Sequence, residues 1–114
     1  MRLALDLDAG AVEPGDTLAG RVLVVEGGAS RSLTLTVNLR ERSPGYVVPA
    51  FESRSLLHEG DLATGQTIEF RCAVPKGAPP SVKGKHGELF WELDVVSDER
   101  GLDTRASRGF AVVA

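Results

Sequence analysis

Apolar and polar residues alternate along most of this chain with a period of two, and Gly, Pro and Asp break the alternation at short intervals. Amphipathic helices need apolar residues three and four positions apart, so the pattern predicts strands throughout. Leu3, Leu5 and Leu7 alternate with Ala4, Asp6 and Asp8, which gives a first strand with its leucines inward and its carboxylates exposed. The tetrad Glu13-Pro14-Gly15-Asp16 then reverses the chain, because Pro presets φ at the second turn position and Gly tolerates positive φ at the third. A second strand is expected from Thr17 to Val25, with Leu18, Val22 and Val24 on one face, Gly20 among them, and Gly27 and Gly28 at its end. The third pattern is the clearest. Leu33, Leu35, Val37 and Leu39 point one way and Thr34, Thr36, Asn38 and Arg40 the other, predicting one buried face and one wet face.

Residues 43–50, SPGYVVPA, carry two prolines and a glycine around Tyr46, Val47 and Val48 and read as a loop or an irregular edge. A fourth strand from Phe51 to Leu57 has poor alternation. From Thr67 to Val74 the pattern is regular again, with Ile68, Phe70, Cys72 and Val74 inward. Three prolines and three glycines between Pro75 and Gly87 suit a long crossover between sheets rather than a ladder. Leu89, Trp91, Leu93 and Val95 line one face of a sixth strand, opposed by Glu88, Phe90, Glu92 and Asp94. After a turn from Ser97 to Asp103, a last strand from about Arg105 to Val113 sets Phe110 and Val112 inward. Seven short strands in a chain of this length predict an all-β, immunoglobulin-like antiparallel sandwich, one domain over residues 1–114.

Composition narrows the setting. The length fits one domain, able to form a core without covalent staples. Formal charge is -3 and the signs alternate along the chain, so neither nucleic acid nor an anionic membrane surface is an expected partner. Cys72 is the single cysteine, which excludes an intrachain disulfide and fits a reducing cytoplasm. Asp6 and Asp8 interrupt what a secretory leader would need as an apolar run, and no stretch approaches a membrane span, so neither export nor membrane insertion is expected. The preference for Arg over Lys, with abundant Ala, Gly and Val, points toward a GC-rich bacterial genome.

Two segments are more specific than β patterning. Val12-Glu13-Pro14-Gly15-Asp16-Thr17-Leu18-Ala19-Gly20-Arg21-Val22 follows a pattern of proline-glycine-acid, one residue, apolar, one residue, glycine, one residue, valine. Val74-Pro75, Ala78-Pro79-Pro80-Ser81-Val82 and Gly87 to Val95 join a proline-proline-serine crossover to a strand of apolar, any, aromatic, any, apolar type. In this order and spacing they resemble the arrestin-like domain family, which includes bacterial sporulation-control proteins and arrestin and retromer-type sandwiches. The resemblance covers nearly the whole chain and implies an arrestin-type fold. It also implies relatives in cargo selection, receptor regulation and, among bacterial members, sporulation or stress control. The family usually carries two such sandwiches in tandem with switching contacts between them. This chain reads as one, so no switching, phosphate-sensing or membrane-docking residue carries over. Trp91 stands where the family more often has tyrosine, a change a core absorbs if the indole N–H finds an acceptor.

Catalysis needs a nucleophile, base or metal held in a shaped pocket, and the reactive residues lack partners in the sequence. Cys72, between Phe70 and Val74, reads as a core thiol with its thiolate disfavoured. His58 and His86 read as exposed loop residues without metal-ligand spacing. Asp94, Asp98, Glu99 and Asp103 cluster near the last hairpin without a calcium-loop register and read as solvated turn residues. Gly27-Gly28 and Lys83-Gly84-Lys85-His86-Gly87 lack phosphate-loop spacing and read as turns, while Lys76, Lys83 and Lys85 read as solubilising. No catalytic residue, cofactor or metal is expected. The suggestive feature is Tyr46, Val47, Val48 and Phe51 between prolines, apolar residues outside the strand pattern that need either an internal cover or a partner surface.

These readings predict a non-enzymatic protein-interaction or scaffold module, docking an unidentified protein through an exposed strand or clustered loops. A carbohydrate-binding or adhesion sandwich is an alternative that depends on Trp91 and Tyr46 being presented at the surface. A structural subunit that pairs with itself edge to edge as a homodimer is another. A minor hydrolase or metal enzyme fits least, because histidine is scarce and unpaired.

Overall fold

The computed structural model describes every residue except Lys85, His86 and Ala114, and for residues 46–50 it describes the backbone alone. Among the described residues nine strands follow in order: β1 (Arg2–Leu7), β2 (Ala11–Val12), β3 (Thr17–Glu26), β4 (Ser32–Ser43), β5 (Tyr46–Glu59), β6 (Thr67–Ala73), β7 (Val82–Lys83), β8 (Glu88–Asp98) and β9 (Thr104–Val112). They form two sheets packed as a sandwich. One has the order β1-β3-β6, and the other has the order β2-β9-β8-β4-β5 with β7 beside β8. The fold class is therefore the all-β antiparallel sandwich that the alternation predicts.

The alternating residues become the core. Leu18, Val22 and Val24 of β3 face Leu33 and Leu35 of β4 and Trp91, Leu93 and Val95 of β8, all buried. Burial of this apolar surface is the main force holding the sheets together. The two glycines of the first motif have separate mechanical roles. Gly15 sits at φ +88°, closing the turn in which Asp16 N–H donates to the Glu13 carbonyl at 3.1 Å. Gly20 lies so close to the Asp6 carbonyl of β1 and the Phe70 ring of β6 that a Cβ would collide with both. Its absence lets β1, β3 and β6 pack together.

Four details go beyond or against the sequence pattern. Residues 43–50, read as a loop or an irregular edge, form an irregular edge. Ser43 pairs with Tyr46 across Pro44 and Gly45, the latter at φ +88°, and β5 runs on from there for 14 residues instead of beginning at Phe51. A proline is tolerated here because β5 is an edge strand and the ladder shifts register beside Pro49. Second, the crossover from Pro75 to Gly87 does contain a ladder: β7 occupies the place beside Leu89 and Glu88 where β9, which stops pairing at Trp91↔Phe110, has ended. Third, β2 was not visible in the pattern. It is two residues paired parallel to Ala111 and Val112. Fourth, the outer face of β4 is not wet at its centre, since Thr36 and Asn38 are buried. Asp94 of β8 accepts hydrogen bonds here from Asn38 and Arg40 of β4.

One flank of the sandwich is tied shut, with Arg108 of β9 donating to the Leu5 carbonyl of β1 at 3.2 Å. At the other flank the sheets end in β5 and β6, and six strands face three.

Candidate interaction surface

The unequal sheets decide which strand is uncovered. β5 pairs with β4 alone among the described strands, and the register shifts between Leu33 and Thr34 and again between Leu39 and Arg40. Between these irregularities Phe51 to Leu56 run in regular antiparallel register with Leu39 to Thr34. Glu52, Arg54 and Leu56 share the outer face with Asn38, Thr36 and Thr34, while Phe51, Ser53 and Ser55 share the inner face with Leu39, Val37 and Leu35. All six β5 residues are exposed, on both faces, because the smaller sheet does not reach across to them. Arg54 Nε donates to Glu52 Oε1 at 2.7 Å along the strand.

Of the four residues singled out from the sequence, Phe51 is described in full. It is 38% exposed, and its ring lies 5.9 Å from that of Trp91, tilted by 57°. It covers the mouth of the core with one face and presents the other. The side chains of Tyr46, Val47 and Val48 lie outside the described residues; their backbone pairs with Ser43, Arg42 and Glu41. Glu52, Ser53, Arg54 and Leu56 belong to the same surface and were missed. The signal was available, because a strand that does not alternate within an alternating chain is one that neither sheet covers.

Beside this edge the outer face of the larger sheet carries a polar network centred on Asp94. Its carboxylate accepts from Asn38 Nδ2 at 2.6 Å, from Arg40 Nη2 at 2.8 Å and from the Ser107 hydroxyl. Asp94 is therefore a mostly covered hub rather than a solvated turn residue. Glu92 lies 3.6 Å from Arg40 Nε, yet its carboxyl is held above the ordinary value: burial disfavours the charge, the neighbouring Asp94 charge adds to this, and Arg40 and Arg42 offset only part. A shallow groove of about 440 Å³ runs over this network to Glu52 and Arg54. Its carboxylates are engaged as acceptors and it gathers no nucleophile.

The remaining reactive residues are dispersed. Cys72 is half-buried on the edge strand β6 rather than enclosed in the core, its Sγ 3.5 Å from the Leu18 carbonyl, and burial pushes the thiol up to about 11. His58 lies within β5 rather than in a loop, its Nε2 3.2 Å from the Asp61 carbonyl, and His86 lies outside the described residues. Asp98 pairs with Arg31 at 3.0 Å, while Glu99 and Asp103 cap the last turn through the N–H groups of Thr104 and Glu99. Among the described residues no group of three or more His, Cys, Asp or Glu is arranged to hold a metal. Lys83 belongs to β7 and Lys85 lies outside the described residues. Trp91 is buried, its Nε1 donating to the Pro79 carbonyl at 2.9 Å, so it offers no ring to a sugar.

These features define a class: a two-sheet arrestin-type sandwich with one closed flank and one open flank, whose surface is a strand edge rather than a cavity. Among solved structures, the chain is similar to Spo0M, the sporulation control protein of Bacillus subtilis. The TM-score is 0.70 and the identity 18%, over 99% of this chain and 49% of that one, so the chain spans about half the length of Spo0M. At that identity the likeness establishes the fold. No protein-family model and no curated protein sequence matches the chain. No helix among the described residues is long and apolar enough to cross a membrane.

Proposed function

We propose that this chain is a non-enzymatic, regulatory protein-interaction module of the arrestin-like family, docking an extended segment of another protein on β5. The observation that carries this reading is the regular run Phe51 to Leu56, exposed on both faces at the open edge of the larger sheet. An edge strand offers a row of backbone donors and acceptors to an incoming strand, and flanking side chains select the partner. The engagement of Asp94, Asp98, Glu99 and Asp103 in hydrogen bonds supports a binding role over catalysis. The likeness to Spo0M, a sporulation control protein of Bacillus subtilis, is what supports a regulatory role and a bacterial setting. The single cysteine supports a cytoplasmic location in this reading, and the mixed surface charge supports a partner that is neither nucleic acid nor a membrane.

The reading is tested in the native host by placing a photoactivatable crosslinking residue at position 56 and, separately, at position 23 on the outer face of β3, where Leu23 is also exposed. Adducts from position 56 and none from position 23 support docking at β5. Equal labelling, or no adduct from position 56, overturns it.

A further inference from the structure

The open edge has a self-complementary charge pattern. When two identical antiparallel strands pair about a two-fold axis, the axis stands perpendicular to the sheet and passes midway between one central residue and its own copy. Residues equally spaced on either side of that centre then face each other across the dyad, on the same side of the sheet. Each choice of centre therefore fixes which side chains meet.

Centring on Glu52 or Arg54 sets a charge against its own copy. Centring on Phe51 or Ser55 leaves both charges opposite residues of no matching sign. Centring on Ser53 sets Glu52 of each strand opposite Arg54 of the other, twice, and brings Phe51 against Ser55 and Ser53 against Ser53 on the inner face. Opposite charges directly across an antiparallel pair attract, and like charges there repel. The same centre keeps the whole stretch from Phe51 to Ser55 inside the regular ladder, clear of the register shifts at either end. Pro49, which cannot donate, stands just beyond it and marks where the new ladder stops. Between Phe51 and Leu56 there is no proline, lysine or bulge, the devices that usually blunt an edge.

We propose that two copies of this chain pair through their β5 edges, antiparallel and centred on Ser53, joining the two larger sheets into one. The proposal rests on the reading of β5 as the docking edge and names a second copy as its occupant. The strand β6, the edge of the smaller sheet, also carries an acid and a base two residues apart, Glu69 and Arg71, but its central Phe70 is already buried within its own sandwich. β5 is the edge whose inward residues still lack a cover.

The test is the mass of the whole chain in solution, measured by light scattering during size-exclusion chromatography. The native protein is expected at twice the chain mass. Glu52→Arg sets Arg against Arg and Arg54→Glu sets Glu against Glu, so each single variant runs as a monomer. The double variant E52R/R54E exchanges the charges and returns to the dimer. Glu69→Arg leaves the dimer intact. A second reading uses amide hydrogen exchange, with the outward amides between Phe51 and Ser55 protected in concentrated solution and losing that protection on dilution. A monomeric native protein, single variants that stay dimeric, or a double variant that stays monomeric overturns the proposal. A dimer broken by Glu69→Arg does the same, by moving the contact to β6. A monomeric native protein leaves docking of another protein on β5 to the crosslinking test, so the two readings fail separately.

Discussion

β4 and β5 are joined by two residues, paired along nearly their whole length and similar in size, yet one is buried on both faces at its centre and the other on neither. Leu35 and Ser55 are direct partners across the ladder, and Leu56 lies one step away opposite Thr34. The difference lies in what covers each strand. β4 has the smaller sheet beneath it and the Asp94 network above it, while β5 extends past both. Pairing in a sheet satisfies the backbone, but only a layer above or below removes a side chain from water.

That contrast has a measurable scale. Replacing Leu35, 1% exposed, by Ala should cost about 2–5 kcal/mol in urea denaturation, whereas the same change at Leu56, 57% exposed, should stay within about 0.5 kcal/mol. Similar losses at the two positions would mean that β5 is covered after all. Next in size is the polar cover over β4. Asp94→Ala strips the shared acceptor from Asn38, itself buried, and from Arg40, and should cost about 1–3 kcal/mol. A neutral result would make the network ornamental and leave the burial of Thr36 and Asn38 without a cause.

The smallest effect is pH-dependent. The carboxyl of Glu92 is raised above 4.5 by burial and by the charge of Asp94, so its ionised form is disfavoured in the folded protein. Ionisation therefore costs stability at neutral pH, and the cost disappears as pH falls through the raised value and Glu92 takes up a proton. Glu92→Gln should be more stable than the native protein at pH 7 by about 0.5 kcal/mol, converging with it in acid. A less stable variant at pH 7 would show that Arg40, 3.6 Å away, outweighs burial.

The same contrast explains how much could be read from the sequence. β3 and β8 were legible because one face of each is buried and the other is not, which is what alternation records, and β9 shows the same only at its end, where Phe110 and Val112 are buried. β5 was half legible: uncovered on both sides from Phe51 to Leu56, it has no reason to alternate there, and Pro44, Gly45 and Pro49 gave the preceding residues the look of a loop. β2 and β7, two residues each, are too short for any period and exist because β8 and β9 offer them an edge. Of the surface residues, Phe51 was identified as an apolar residue out of place. Glu52 and Arg54 were not, and Asp94 was noticed but read as a solvated turn residue, since a charge meets its partner only once the register is known.

The buried indole of Trp91 has a practical consequence. It is the only tryptophan, it lies between the rings of Phe51 and Phe110 at 5.9 Å from each, and its nitrogen is held by the proline-rich segment. The molecule thus contains its own optical reporter, whose near-ultraviolet emission is expected at shorter wavelength while the indole is enclosed. Any event that lifts the fourteen-residue strand or pulls the Pro79 carbonyl away should register as a shift of that emission, with no label attached.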